Sequence, residues 1–146
     1  MLSSVTRRDV IRLAAAMLPI VSCGADVTSV PPQDDLPDDA VVISSTGVRV
    51  RVNRIPALLA ADGVVVLLAA RIIVVRTGPA AFRALSAECP HSGCGVSIVD
   101  RPRLICPCHG SEFNFAGDRL SGPAPTGLVL LQSEYDEARR ELLVVR

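Results

Sequence analysis

The stretch that decides how this chain folds and functions is CPHSGC at residues 89–94, followed after eleven residues by CPCHGS at residues 106–111. We call these segments box 1 and box 2. Together they contain six of the seven Cys and His side chains of the chain. A pair of thiolates and a pair of imidazoles on two short loops can close around a tetrahedral metal centre, either one zinc ion or an iron–sulfur cluster. Composition alone does not separate these two kinds of site.

The spacing within the boxes resembles that of the Rieske family, which is C-x-H, a spacer and then C-x-x-H. Position by position, the resemblance implies that Cys89 and Cys106 ligate one iron of a [2Fe-2S] cluster, and that His91 and His109 ligate the other. Zinc fingers also use two Cys and two His, but in C-x-x-C and H-x-x-x-H boxes. The mixed boxes therefore favour iron and sulfide, with a structural zinc-binding module as the alternative.

The resemblance extends beyond the four predicted ligands. Cys94 and Cys108 match the extra cysteine pair that cross-links the cluster loops in Rieske proteins of the cytochrome bc type. Residues 122–125, GPAP, are similar to the proline loop that shields the cluster. In high-potential relatives a Ser hydroxyl donates to a bridging sulfide, and a Tyr two positions later donates to a cysteine sulfur. This chain has Ser111 at the first position but Phe113 at the second.

Residues 1–22 have the pattern of an export signal. TRRDVIR at residues 6–12 resembles a twin-arginine motif. The apolar run at residues 13–21 is too short for a membrane-spanning helix, which needs about 20 residues. IVSC at residues 20–23 resembles a lipobox, so we expect Cys23 to be lipidated, with cleavage after Ala25 or no cleavage as the alternative. These features predict export to the periplasmic side of a bacterial membrane and a lipid anchor there.

Residues 23–40 are predicted to be a tether between this signal and a Rieske domain at residues 41–146. Three Pro and five Asp stand among residues 24–40, which leaves too little apolar surface for independent folding. A disulfide pair and two cluster ligands also leave one odd cysteine, Cys23, which lipidation would account for.

From residue 41 onward, short β-rich runs alternate with turn residues, as Val48, Val50 and Val52 alternate with Arg residues. We predict strands at 41–43, 48–52, 64–76, 129–135 and 142–146, a weak helix at 55–61 and a turn at 138–140. This pattern favours an all-β fold, an antiparallel β-sandwich or open barrel with an inserted, loop-rich cluster-binding subdomain at residues 86–125. The same architecture is implied by the resemblance.

The sequence shows no pattern of a substrate-transforming site. Fifteen basic residues balance fifteen acidic ones, so nothing points to nucleic-acid binding. The sequence offers no third His, no candidate triad and no Gly-rich nucleotide loop. The resemblance implies one-electron transfer to a redox partner, with both His ligands open to a quinol or a haem edge. The partner is either a quinol-oxidising cytochrome complex or another periplasmic oxidoreductase, and the missing membrane helix weighs against the first.

Overall fold

The computed structural model describes residues 36–145, so the predicted signal, Cys23 and the tether up to residue 35 lie outside the described residues. Within that range the chain forms twelve strands and two short 3-10 helices. The helices are Val52–Arg54 and Pro56–Leu58. The strands are β1 Val41–Ser44, β2 Gly47–Arg51, β3 Val64–Leu67, β4 Ile72–Gly78, β5 Ala81–Ser86, β6 Ile98–Asp100, β7 Arg103–Ile105, β8 Glu112–Asn114, β9 Arg119–Ser121, β10 Leu130–Leu131, β11 Ser133–Asp136 and β12 Glu141–Val145.

The strands form three antiparallel sheets of four strands each among the described residues. The base sheet has the order β1-β2-β12-β11, the middle sheet β10-β5-β4-β3, and the cluster sheet β6-β7-β8-β9. The cluster sheet and both boxes are inserted between β5 and β10, which are neighbours in the middle sheet. The predicted all-β antiparallel fold with an inserted subdomain is therefore confirmed.

The middle sheet is buried on both faces. Val65 and Leu67 of β3 pack in a core with the base sheet, whereas Val64 and Val66 pack in a second core beneath the two boxes. A strand that is covered on both sides carries apolar residues at every position instead of alternating. This is why residues 64–67 form a continuous apolar run.

One predicted strand, 64–76, is wrong as a single element, because the chain folds it into a hairpin. Leu67 pairs with Ile72, and residues 68–71 form the connecting turn. Arg71 closes the turn in the left-handed conformation, with φ of 54°. The turn contains no Gly, Pro, Asn or Asp, which are the residues that normally mark such a position.

Other elements differ from prediction in smaller ways. The strand predicted at 129–135 is split into β10 and β11, which belong to different sheets. The helix predicted at 55–61 is reduced to the 3-10 turn Pro56–Leu58. The turn predicted at 138–140 is present, and it leads into β12. No helix among residues 36–145 is long and apolar enough to cross a membrane.

Residues 36–40, the end of the predicted tether, contact the base sheet. Ala40 is fully buried, and its carbonyl accepts the N–H of Arg51 at 2.8 Å. The carboxylate of Asp39 pairs with Arg51 at 2.7 Å and with Arg54 at 3.2 Å. The domain boundary at residue 41 stays a prediction, but the chain is already held against the domain before it.

Candidate metal centre

The two boxes adopt the same loop geometry. In box 1 the N–H of Gly93 donates to the carbonyl of Cys89 at 2.8 Å, and the N–H of Cys89 donates to the carbonyl of Cys94 at 2.8 Å. Box 2 has the same two bonds: the N–H of Gly110 donates to the carbonyl of Cys106 at 3.0 Å, and the N–H of Cys106 donates to the carbonyl of residue 111 at 2.9 Å. The two glycines have φ of 73° and 71°, a conformation that favours Gly. Each box is thus a tight loop that turns its side chains toward the other.

The structure brings the four predicted ligands together as two pairs. Cys89 and Cys106 are free thiols, 1% and 2% exposed, within the core beneath the boxes. His91 and His109 are exposed, and their ring centroids lie 4.6 Å apart with perpendicular planes. The two boxes thus present two buried sulfurs and two accessible imidazoles, a donor set that suits a metal centre with one buried side and one exposed side.

A disulfide joins the remaining cysteines of the boxes. Cys94 and Cys108 are bonded across 14 positions of sequence, with their Cα atoms 6.5 Å apart. The pairing implied by the resemblance is therefore confirmed. The sulfurs of these two residues and of Cys106 all lie within 4.8 Å of one another. Because two of these sulfurs are already bonded to each other, only Cys106 of the three offers a thiol to a metal.

Burial raises the pKa of the Cys106 thiol, and the adjacent Cys89 thiol raises it further. Two backbone N–H groups, of Cys108 and His109, donate to the Cys106 sulfur and lower this pKa. These donors are directed at a sulfur that becomes an anion when it binds a metal, since coordination deprotonates a thiol. The loop of box 2 therefore supports a thiolate at Cys106, although burial in the apolar core disfavours that thiolate until a cation binds it.

Ser111 is fully buried beside box 2. Its Oγ accepts the N–H of Ala124 at 3.1 Å, a bond that uses an oxygen lone pair and leaves the hydroxyl proton available for donation. The loop at 122–125 lies directly against this residue: a Cβ on Gly122, whose φ is 89°, would stand 2.5 Å from the Ser111 Cα. The predicted proline loop therefore covers box 2 by backbone-to-backbone packing.

The ring of Phe113 is completely buried, and it lies in the core that contains Cys89 and Cys106. It pairs across the cluster sheet with Leu104. A phenyl ring has no hydrogen-bond donor to offer to a cysteine sulfur. At this position the side chain contributes packing alone.

Arg71 is a neighbour of the site that the sequence did not reveal. Its Nη2 lies 3.1 Å from the carbonyl oxygen of Gly93 in box 1 and 3.4 Å from a carboxylate oxygen of Glu88. The residue stands within the stretch predicted to be one continuous strand, so nothing in its local pattern placed it near box 1. Only the β3–β4 hairpin brings it there.

Comparison with known proteins identifies relatives of this arrangement. A profile of the Rieske [2Fe-2S] domain matches residues 28–133. The cytochrome b6-f complex iron-sulfur subunit 1 of Nicotiana tabacum is 36% identical over 69 residues, which are 47% of this chain and 30% of that protein. The corresponding subunit of Chlorobaculum thiosulfatiphilum is 44% identical over 59 residues, which are 40% of this chain and 32% of that protein. The aligned region thus spans about a third of these curated relatives.

Among solved structures, the cyanobacterial plasma membrane Rieske protein of Synechocystis PCC 6803 is 30% identical, with a TM-score of 0.46. The match covers 51% of this chain and 76% of that protein.

Proposed function

Because the chain belongs to the Rieske [2Fe-2S] family, whose cofactor is a [2Fe-2S] cluster, we propose that it transfers single electrons as the iron–sulfur subunit of a quinol-oxidising cytochrome complex of the bc type. The relatives named as cytochrome b6-f iron-sulfur subunits support this choice of complex. The observation that carries the proposal is the separation of buried thiols from exposed imidazoles across two boxes joined by a disulfide.

We assign Cys89 and Cys106 as the thiolate ligands, with His91 and His109 as the imidazole ligands. When bound, the cluster supplies a one-electron redox centre whose potential depends on burial and on hydrogen bonds to sulfur. The two thiols hold this centre against an apolar core, where water is excluded. The Cys94–Cys108 disulfide is not part of the ligand set, and it keeps the two boxes at a constant separation.

The two histidines would form the contact with the partner. Each imidazole has two nitrogens, so a ring that ligates through one still presents the other. Since both rings are exposed, these outer nitrogens would meet a quinol hydroxyl or a haem edge. A quinol that gives up an electron also gives up a proton. His91 or His109 would accept that proton at an outer nitrogen that has lost its own proton in the oxidised state, so that proton and electron would arrive together.

Ser111 would tune the centre from the buried side. With its Oγ lone pair occupied by the Ala124 N–H, the hydroxyl proton is free to donate toward sulfur. A donor at this place stabilises the more negative, reduced state and so raises the reduction potential. The N–H groups of Cys108 and His109 act in the same direction on the Cys106 sulfur.

We also propose that residues 1–22 direct export of the folded protein by the twin-arginine route, and that a lipid on Cys23 anchors it at the periplasmic side of a membrane. Both features lie in the part of the chain that the structure does not describe. The route suits the site, because a cluster assembled in the cytoplasm must cross the membrane in a folded domain.

A second candidate is supported by Phe113. Because this buried ring gives no hydrogen bond to sulfur, the reduction potential would be lower than in relatives with a Tyr there. A lower potential suits a menaquinol-type donor or another periplasmic oxidoreductase better than a ubiquinol chain. The rate of reduction by a ubiquinol analogue separates these partners, since the second candidate requires this rate to be higher in Phe113→Tyr than in the unsubstituted protein.

The ligand assignment is tested by metal analysis of purified variants made in an iron-replete host. We expect the unsubstituted protein to contain two irons and two labile sulfides, which is the composition of the cluster. Cys89→Ser, Cys106→Ser, His91→Ala and His109→Ala should each lose both. The matched control is the double variant Cys94→Ser/Cys108→Ser, which changes two cysteines of the same boxes. A fraction of its molecules should still carry the cluster. Stoichiometric zinc without iron would instead support the structural zinc module.

A further inference from the structure

Arg71 connects the middle sheet to both ends of the box 1 loop. Its guanidinium donates to the carbonyl of Gly93 at 3.1 Å, which lies after His91 in the loop. Its backbone carbonyl accepts the N–H of Ala87 at 2.9 Å, just before Cys89. One residue of the β3–β4 turn therefore holds the chain both before Cys89 and after His91.

Box 1 and box 2 are supported from outside by different means. The backbone of Gly122 packs directly against box 2. A Cβ added to Gly122 would stand 2.9 Å from the carbonyl oxygen of Gly110. The equivalent glycine of box 1, Gly93, instead receives the side chain of Arg71 on its carbonyl. Arg71 thus occupies for box 1 the place that the 122–125 loop occupies for box 2.

The same guanidinium also meets an acidic side chain at the edge of the site. Glu88 directly precedes Cys89, and its carboxylate lies 3.4 Å from Arg71 Nη2. The other carboxylate oxygen borders box 1, since a Cβ on Gly93 would stand 3.4 Å from it. An uncompensated carboxylate beside a redox centre opposes the arrival of an electron, because reduction adds negative charge. Arg71 supplies the compensating positive charge.

We propose that Arg71 is a positioning residue of the cluster, which fixes the box 1 loop through Gly93 and raises the reduction potential by neutralising Glu88. The proposal rests on the ligand set assigned above. Both side chains are more than half exposed, so the charge effect is screened by salt and the ion pair adds little to stability. The measurable consequence is a change of reduction potential that grows as ionic strength falls.

The experiment compares Arg71→Gln, Glu88→Gln and the double variant by protein-film voltammetry of the intact chain at low and high salt. We expect the potential to fall in Arg71→Gln, to rise in Glu88→Gln and to lie between the two in the double variant. Arg71→Lys, which keeps the charge, should restore most of the loss. Two single shifts in the same direction would overturn the charge compensation.

Arg101→Gln is the matched control for the loss of one exposed arginine. Arg101, in the β6–β7 turn, donates to the carbonyl of Asp62 in the turn before β3 at 2.6 Å, and this carbonyl lies outside both boxes. It should leave the potential unchanged. A shift equal to that of Arg71→Gln would refute a specific role for Arg71.

Hydrogen exchange at the Gly93 amide keeps the positioning claim testable if Arg71→Gln assembles no cluster. This amide donates to the Cys89 carbonyl, so it exchanges when the box 1 loop opens. Loss of the Arg71 bond to the Gly93 carbonyl should make that opening easier by about one ordinary hydrogen bond. In cluster-free protein we therefore expect exchange about fivefold faster in Arg71→Gln than in Arg101→Gln. Equal rates would overturn the positioning claim. Failure of the underlying ligand assignment is distinguishable, because the unsubstituted protein would then bind no iron.

Discussion

The disulfide allows the most quantitative test of how the boxes are held together. The perturbation is the double variant Cys94→Ser/Cys108→Ser, which removes the bond without leaving an unpaired thiol. The bond closes a loop between residues 14 positions apart. In the chain-entropy treatment, a loop of that size destabilises the unfolded state by about 3 kcal/mol at 25 °C. For a domain of roughly 100 residues, this loss lowers Tm by roughly 12 to 24 °C.

The assay is urea and thermal unfolding of the full chain, followed by circular dichroism, with iron content measured in parallel. We expect the free energy of unfolding of the double variant to be lower by about this amount. A fraction of its molecules should still assemble the cluster, since neither cysteine is assigned as a ligand. A thiol reductant should destabilise the unsubstituted protein by a similar amount and should leave the double variant unaffected.

Two results would refute this reasoning. One is complete loss of iron from the double variant, equal to that of Cys106→Ser, because Cys94 or Cys108 would then be needed for ligation. The other is an unchanged unfolding midpoint in the double variant, since the loops would then be held without the bond.

Five further perturbations address other parts of the site and the anchor. Ser111→Ala should lower the reduction potential, and Phe113→Tyr should raise it, each by on the order of 60 to 130 mV, the equivalent of a hydrogen bond to a charged group; voltammetry that shows no shift would contradict the assigned donor positions. Gly122→Ala should lower the free energy of unfolding, measured in urea, by at least ~1–3 kcal/mol. Gly110→Ala should lower it less, since only Gly122→Ala places a Cβ within 2.5 Å of the Ser111 backbone. Cys23→Ser should move the protein from the membrane to the soluble fraction, whereas replacing Arg7 and Arg8 by Lys should retain it in the cytoplasm; a membrane-bound Cys23→Ser protein would exclude the lipid anchor.

The parts of the site that the sequence could reveal are those whose chemistry is local. Box 1 and box 2 carry their Cys and His at short spacings, so the disulfide partners could be named without a fold, and a candidate donor set could be proposed. The loop at 122–125 could be recognised in the same way. Its contact with Ser111 could not, because the clash that requires Gly122 arises between backbones that meet only in three dimensions.

The parts that escaped prediction are those without a sequence signal. The four strands of the cluster sheet have three residues each, too few to show a period of two. The turn at residues 68–71 has no residue typical of turns, so the sequence of the hairpin predicts one strand. That error also hid Arg71, since a residue in the middle of a strand gives no reason to expect contact with Gly93, which is 22 positions away.

Paramagnetic resonance of the dithionite-reduced full chain tests most directly the claim that two histidines and two cysteines hold a [2Fe-2S] cluster. One-electron reduction of two ferric irons leaves an odd electron, so we expect a signal that integrates to one spin per two irons. Pulsed measurements should show couplings to two imidazole nitrogens, and both the couplings and the signal should be lost in His109→Ala. A reduced protein that is silent and contains zinc, or a cluster signal without nitrogen couplings, would contradict the ligand assignment.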